Sequence, residues 1–125
     1  MEDGLLLADA LDVAAIRLVE TMQGHEDEPV DQEALSEMSV AAGSALERFW
    51  DWREHHPDHE LPERVRSVFF CADVIAESLE RLLIALHAAD RETVIVKWLA
   101  TSGACEQYER RRIDVATPED FARHL

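Results

Sequence analysis

Apolar residues recur at intervals of three and four along most of the chain, the spacing that places them on one side of an α-helix. The pattern predicts four long helices, over residues 5–23, 32–55, 63–89 and 91–112. The first is apolar around most of its circumference, which is typical of a helix that is central in its bundle or buried against a partner. We therefore expect an all-α fold, with residues 1–125 forming a single-domain helical bundle.

The third helix has the most regular apolar stripe of the four. Phe70 and Val74 widen its apolar surface beyond one face. A helix with apolar residues on more than one face must be covered on more than one side to remove them from water. We therefore expect this helix to be the hub of the bundle.

Local signals mark several helix ends. Asp31 and Asp90 stand directly before the second and fourth helices, where an Asp side chain can accept hydrogen bonds from the first free backbone amides. Pro57 ends the second helix, because proline removes a donor and blocks the preceding turn. A Thr-Pro-Glu-Asp sequence predicts a short C-terminal helix over residues 117–122.

Two segments have a local structure that apolar spacing alone does not decide. The β-branched run at residues 93–96 also suits a strand, but no partner strand is predicted elsewhere, so we expect it to be helical. Gly43 lies within the second helix among small residues, where glycine costs about 1 kcal/mol relative to alanine. We expect this glycine to allow another helix to approach closely.

The acidic residues of the chain are concentrated in its first half. The 125 residues include 27 acidic and 12 basic side chains, a formal net charge of −15. Residues 1–60 carry sixteen acidic and three basic residues, and residues 61–125 carry eleven and nine. Nucleic acids and anionic membranes attract positive surfaces, so the composition argues against direct binding to either. Adaptation of the surface to salt, or a need for solubility, is the alternative explanation of the acidic excess.

The location in the cell is inferred from absent signals and from the cysteines. The N-terminus lacks the basic start of a secretory signal, and no stretch approaches the roughly 18 apolar residues of a membrane span. Cys71 and Cys105 lie within apolar segments, as small buried residues do in a reducing compartment. We expect a cytoplasmic protein.

Part of the acidic excess has a defined position on the second helix. The side opposite the apolar stripe carries acidic residues at helical spacing, and a tryptophan stands among them, as in many interface hot spots. We interpret these acids as a continuous negative ridge that binds a partner. The predicted partner-binding residues are Glu33, Glu37, Glu47, Trp50, Asp51 and Glu54. For Trp50 the alternative is packing on Leu46 and a neighbouring loop.

A negative ridge at helical spacing can imitate the phosphates of a duplex. The sequence therefore favours a non-catalytic interaction module for a basic protein partner, such as a nucleic-acid-binding complex. The specific form of this hypothesis is a phage or bacterial inhibitor of the anti-restriction or anti-CRISPR type. No cofactor is expected. A structural homodimer that pairs through the first helix is an alternative.

Two enzyme classes are the catalytic alternatives. Glu77 and Glu80 have the spacing by which helical hydrolases hold cations, but the sequence lacks the second acidic pair that such sites use. Arg81 and His87 resemble the Arg-then-His motif of small all-helical ribonucleases of toxin–antitoxin systems. This resemblance covers two residues and implies cleavage of RNA.

Two further clusters contain residue types that bind ligands. His55, His56 and His59 lie among carboxylates and could ligate a transition metal. Adjacent helical residues diverge by about 100°, however, so we expect a solvated helix end instead. The arginines at 110–112 could bind phosphate, but in so acidic a molecule we expect them to pair with the acidic half.

Overall fold

The computed structural model describes residues 2–23 and 30–115, which form four α-helices. These are α1 (Glu2–Gln23), α2 (Gln32–His55), α3 (Glu63–His87) and α4 (Arg91–Asp114), with one 3-10 turn at Asp58–Glu60. No strand occurs in the described part of the chain, and residues 93–96 belong to α4. The all-α prediction is therefore confirmed. The short helix predicted at 117–122 lies outside the described residues.

Aspartate caps begin two of the helices, as the sequence predicts. The Asp31 carboxylate accepts hydrogen bonds from the backbone amides of Glu33 and Ala34, at 3.0 and 3.2 Å. Asp90 accepts from the amide of Thr93 at 3.2 Å and from its hydroxyl at 2.6 Å. Each cap satisfies backbone donors that the first turn of a helix leaves free.

The chain between α3 and α4 turns through a residue in the left-handed region. Ala89 has φ of 56°. The amide of Asp90 donates to the carbonyl of Ala85, and that of Ala89 donates to Leu86. This is the Schellman arrangement that commonly ends helices, with alanine in the position that favours glycine. The tight turn sends α4 back along α3.

The bundle consists of two helical hairpins. α1 packs chiefly along α2 and α3 chiefly along α4, while α1 also contacts α3 and α4. The buried core comes mostly from α3 and α1. Its largest fully buried side chains are Tyr108, Phe49, Phe69, Leu11, Leu18, Ile75, Leu79, Leu82, Val65, Val68 and Thr101. The packing of α1 on three other helices accounts for most of its apolar circumference.

α3 contributes a long buried stripe to the core, as expected of a hub, but its apolar surface is not covered on every side. Its stripe is buried along its whole length, from Val65 to Ala85. Phe70 and Val74, however, are 68% and 38% exposed. The residues that widen the apolar surface of α3 are thus exposed, because α4 and α2 cover its flanks and none of the four described helices covers its outer side.

Close helix approach occurs at Gly4 and not at Gly43. A Cβ atom added at Gly43 would meet no atom within 4 Å, so the role predicted for this glycine is wrong. A Cβ at Gly4 would collide with the ring of Trp52. That ring lies between Phe69 and His56, with centroids 5.1 and 4.2 Å away. The start of α1 therefore rests on an aromatic stack at the end of α2.

Candidate functional site

The six predicted partner-binding residues lie on the solvent side of α2. Each of them is exposed, whereas Ala42, Leu46 and Phe49 on the opposite side of the helix are buried. The helical spacing read from the sequence therefore places Glu33, Glu37, Glu47, Trp50, Asp51 and Glu54 on one accessible surface. We refer to these six residues as the acidic face.

The acidic face has two parts and is not the continuous ridge that the sequence suggested. Glu33 and Glu37 lie near the start of α2, and the other four residues lie at its end. The ten residues from Glu37 to Glu47 rise about 15 Å along the axis. Val40, Ala41 and Ser44 are the exposed side chains there, so an uncharged strip separates two acidic groups.

The carboxylates of the acidic face form no ion pair in the described part of the chain. Within residues 2–23 and 30–115, the arginine ion pairs involve Asp9, Asp58, Asp73, Glu77 and Glu106. None of the five acids on the face takes part in one. Exposed carboxylates without a paired cation contribute to the negative field of this surface, which salt screens.

Trp50 occupies the end of the face where the acidic residues are densest. Trp50 is 37% exposed. Its ring lies tilted against the ring of Phe49, with centroids 5.6 Å apart. Together with Arg53, Glu54, Pro57 and Asp58 it lines an open hollow of about 510 Å³. The aromatic ring thus contacts the core residue Phe49 and shares this hollow with Pro57 and Asp58 of the following loop.

Arg53 fixes the floor of this hollow, and the sequence analysis missed its role. Its guanidinium donates to both carboxylate oxygens of Asp73 on α3, at 2.9 and 2.8 Å. It also donates to Asp58 at 2.5 Å and to the carbonyl of His56 at 2.7 Å. The Arg53 side chain is only 9% exposed. The hydrogen bonds that Arg53 donates to Asp73 and Asp58 outweigh the cost of burial and raise its pKa above the ordinary range.

This network makes the end of α2 a firm support for the acidic face. It ties α2, the loop after it and α3 together through a charge-assisted, bidentate pair. A signal for it was present in the sequence: an arginine four residues after Phe49, on the apolar side of the helix, needs a buried acidic partner. The identity of that partner, twenty residues away, was not readable from helical spacing.

The histidines behave as parts of a helix end. The Nδ1 atoms of His55 and His56 lie 2.8 Å from the carbonyl oxygens of Asp51 and Trp52. The hydrogen bond to Asp51 and the charges of Asp51 and Glu54 raise the pKa of His55 above its usual value of 6.5. Among the described residues, no group of His, Cys, Asp or Glu is arranged to hold a metal ion.

The residues of the two enzyme hypotheses all lie on α3. Arg81 pairs with Glu77 at 3.0 Å, across one turn of the helix, and Glu80 is exposed. His87 borders a hollow between α2 and α3, together with Leu83 and Leu86. Arg81 is therefore engaged with a carboxylate, while His87 lies at the α2 side of the helix.

A second polar cluster, unforeseen in the sequence, lies between α1 and α4. The Tyr108 hydroxyl donates to Asp9 at 2.5 Å, and Arg112 donates to the same carboxylate at 3.1 Å. Arg112 thereby pairs with the acidic half of the chain, as predicted for the basic run. Arg110 instead pairs with Glu106 on its own helix, at 2.6 Å.

Asp12 is the one buried carboxylate of this cluster. It is 6% exposed, and its Oδ1 atom has no hydrogen-bond partner among the described residues. Burial, followed by the nearby charge of Glu109, raises the pKa of Asp12 to about 7. The same burial and the neighbouring Asp12 raise the pKa of the Cys105 thiol, so this cysteine is an inert core residue.

Comparison with protein-family models, with curated proteins and with solved structures found no match for this chain. Within the described residues, no helix has the length and apolar character needed to cross a membrane. The function must therefore be inferred from the surfaces described above.

Proposed function

We propose that this protein is a non-catalytic interaction module that binds a basic protein partner through the acidic face. The observation that carries the proposal is that Trp50, which is 37% exposed, shares one side of α2 with five exposed carboxylates that form no ion pair within the described chain. An aromatic anchor within a charged rim is the usual composition of a binding hot spot. The Arg53 network holds this end of α2 in place, which lowers the ordering cost of association.

The distribution of charge between the two hairpins supports the same proposal. α1 and α2 together carry ten acidic and three basic residues, a net charge of −7, whereas α3 and α4 carry eight of each. The negative field is therefore concentrated on the hairpin that contains the acidic face. Such a field accelerates encounter with a basic surface and orients the partner toward this side.

The dimensions of the face favour a partner whose natural ligand is nucleic acid. From Glu33 to Glu54, α2 rises about 32 Å, close to the roughly 34 Å of one duplex turn. The two acidic groups lie at the ends of this length, with Val40, Ala41 and Ser44 between them. We therefore propose an inhibitor that occupies the nucleic-acid groove of its partner, of the anti-restriction or anti-CRISPR kind.

A pair of charge-matched variants tests the interaction module. In the first, Glu47→Gln, Asp51→Asn and Glu54→Gln remove three charges from the acidic face. In the control, Glu20→Gln, Glu80→Gln and Asp114→Asn remove three exposed charges elsewhere that form no ion pair in the described structure. Each protein is immobilised and used to capture proteins from an extract of its native host.

Exposed charge pairs contribute about 0.2–1 kcal/mol each, so three of them change a Kd by about 3- to 160-fold. We expect the face variant to lose the captured protein by this factor and the control variant to retain it. Equal capture by all three proteins would contradict the proposal. Competition with duplex DNA tests the narrower proposal of mimicry: simultaneous binding of DNA and inhibitor would refute mimicry and leave the module intact.

A further inference from the structure

An apolar groove runs between α3 and α4 on the side of the bundle that carries no net charge. It is an open cavity of about 450 Å³. Its floor contains small residues of α4, among them Ala100, Gly103 and Ala104, and its walls include Phe70 and Val74 of α3. A Cβ atom added at Gly103 would meet nothing within 4 Å, so the floor is open to an incoming side chain.

Large apolar side chains are exposed to solvent around this groove. Phe70 is 68% exposed, and Val96 and Leu99, about one turn before Ala100 and Gly103, are 58% and 59% exposed. Scattered exposed apolar residues are ordinary, but a contiguous patch of them marks an interaction site. Phe70 is a projecting group beside a hollow, so the same surface offers both a knob and a hole.

The charge pattern selects the occupant. A second copy of a chain with net charge −15 is repelled by every strongly acidic surface, and the α3–α4 hairpin is the one with equal numbers of acidic and basic residues. Arg111 lies at the Ser67 end of the groove, and no carboxylate of the described chain forms an ion pair with it. Glu77 lies next to Ser78 at the other end.

We propose that the α3–α4 groove is the interface of a twofold homodimer, in which Phe70 of each copy enters the hollow over Gly103 of the other. A twofold contact requires a self-complementary surface, which the adjacent knob and hole provide. Antiparallel contact of the two grooves also brings Arg111 toward Glu77 of the partner subunit. The acidic hairpins then lie on the outside, and both acidic faces stay free.

The size of the surface sets the expected strength of the dimer. From Ser67 to Arg81 the groove side of α3 is about 21 Å long, and two packed helices present a width of about 20 Å. The footprint of about 400 Å² per copy, or about 800 Å² for the pair, is smaller than the roughly 1,200 Å² or more that stable specific interfaces bury. We therefore expect a reversible dimer whose population depends on concentration.

Sedimentation equilibrium of the full chain, from about 10 µM to 1 mM, spans the range of weak specific association and tests the proposal. We expect the mass to rise from 14.2 kDa toward twice that value. Phe70→Asp should weaken the dimer at least tenfold. Val40→Asp on α2, where the side chain is 72% exposed, adds the same charge outside the groove and should leave it unchanged.

Two further variants distinguish loss of this interface from loss of the fold and from a dimer through another surface. Gly103→Gln fills the hollow while replacing a helical glycine, so the monomer should stay folded and the dimer should weaken at least tenfold. Val13→Asp is placed on the exposed side of α1. Dissociation by Val13→Asp but not by Phe70→Asp would assign the dimer to the first helix and overturn the proposal.

Alkylation of Cys71, which lines the groove, identifies what covers it. In a homodimer its modification slows as the protein concentration rises. A strict monomer at every concentration overturns the proposal, whatever the reactivity of Cys71. Slow modification in such a monomer would show that a segment of the same chain fills the groove. These outcomes are independent of the acidic face, so the function proposed above can stand or fail separately.

Discussion

The buried carboxylate of Asp12 makes the stability of the fold depend on pH in an unusual direction. Its pKa is about 7, because burial disfavours the charged form and Glu109 and Asp9 add negative charge nearby, although Cys105 acts in the opposite sense. In the unfolded chain the value returns to the ordinary 3.8. Between about pH 4 and 7 the folded state therefore holds a proton on Asp12 that the unfolded state has already released.

The sign and size of the effect follow from this difference. A raised pKa in the folded state stabilises the fold fully below about pH 4, and this contribution is lost as the pH rises to about 7. At about 1.36 kcal/mol for each pH unit between the two values, the loss reaches about 4 kcal/mol. That is a large part of the 5–15 kcal/mol typical of a domain.

Urea unfolding of the wild type and of Asp12→Asn, followed by tryptophan fluorescence from pH 4 to 8, measures the effect. We expect the variant to gain stability relative to the wild type as the pH rises, by about 4 kcal/mol over the whole range. Glu20→Gln, an exposed change on the same helix, should give a curve parallel to that of the wild type.

Glu109→Gln provides a second check on the cause. Removal of this neighbouring charge should lower the pKa of Asp12, so the loss of stability should end at a lower pH and be smaller, because the charge of Glu109 is the second contribution after burial. If Asp12→Asn and the wild type gave parallel curves from pH 4 to 8, Asp12 would not be a buried, protonated group, and the reasoning would be refuted.

Three other predictions concern the backbone, the Arg53 network and His55. Gly43→Ala and Ala89→Gly should each raise the free energy of unfolding in urea by about 1 kcal/mol, since Gly43 has open space in a helix and Ala89 has φ of 56°. A lower free energy of unfolding in either variant would contradict these backbone effects. Arg53→Lys should lower it by about 2–3 kcal/mol, because a lysine cannot keep the bidentate pair with Asp73, and an unchanged value would show that this pair contributes little. Affinity for the captured partner should weaken as the pH falls from 8 to 6 and His55 becomes protonated, and His55→Asn should remove that dependence; equal pH profiles would exclude His55 from the site.

The helices and their caps were predictable because the information for them is local. Apolar spacing decides which residues share a side of a helix, and an aspartate before the first turn needs no distant partner to act as a cap. The acidic side of α2 follows from the same spacing. The interruption of that side at Val40, Ala41 and Ser44 was also legible in the sequence, and the prediction of a continuous ridge overlooked it.

The remaining features depend on contacts between distant parts of the chain. Asp9 meets Tyr108 across 99 residues, and Arg53 meets Asp73 across 20, so helical spacing carries no signal for either pair. Phe70 illustrates a different limit. The sequence pattern of a helix with a wide apolar surface does not show whether another helix or solvent covers a given apolar residue. Phe70 is exposed because α4 packs beside α3 and leaves this residue uncovered.

The most direct test of the proposed function is the salt dependence of binding between this protein and the partner it captures. Between about 0.1 and 1 M salt the Debye length falls from about 10 to 3 Å, which suppresses attraction between exposed charges. We predict that the Kd of the wild type rises at least tenfold over this range, and that Glu47→Gln, Asp51→Asn and Glu54→Gln together flatten the dependence. An affinity that stays constant with salt, in the wild type as in the variant, would contradict a docking surface built on the acidic face of α2.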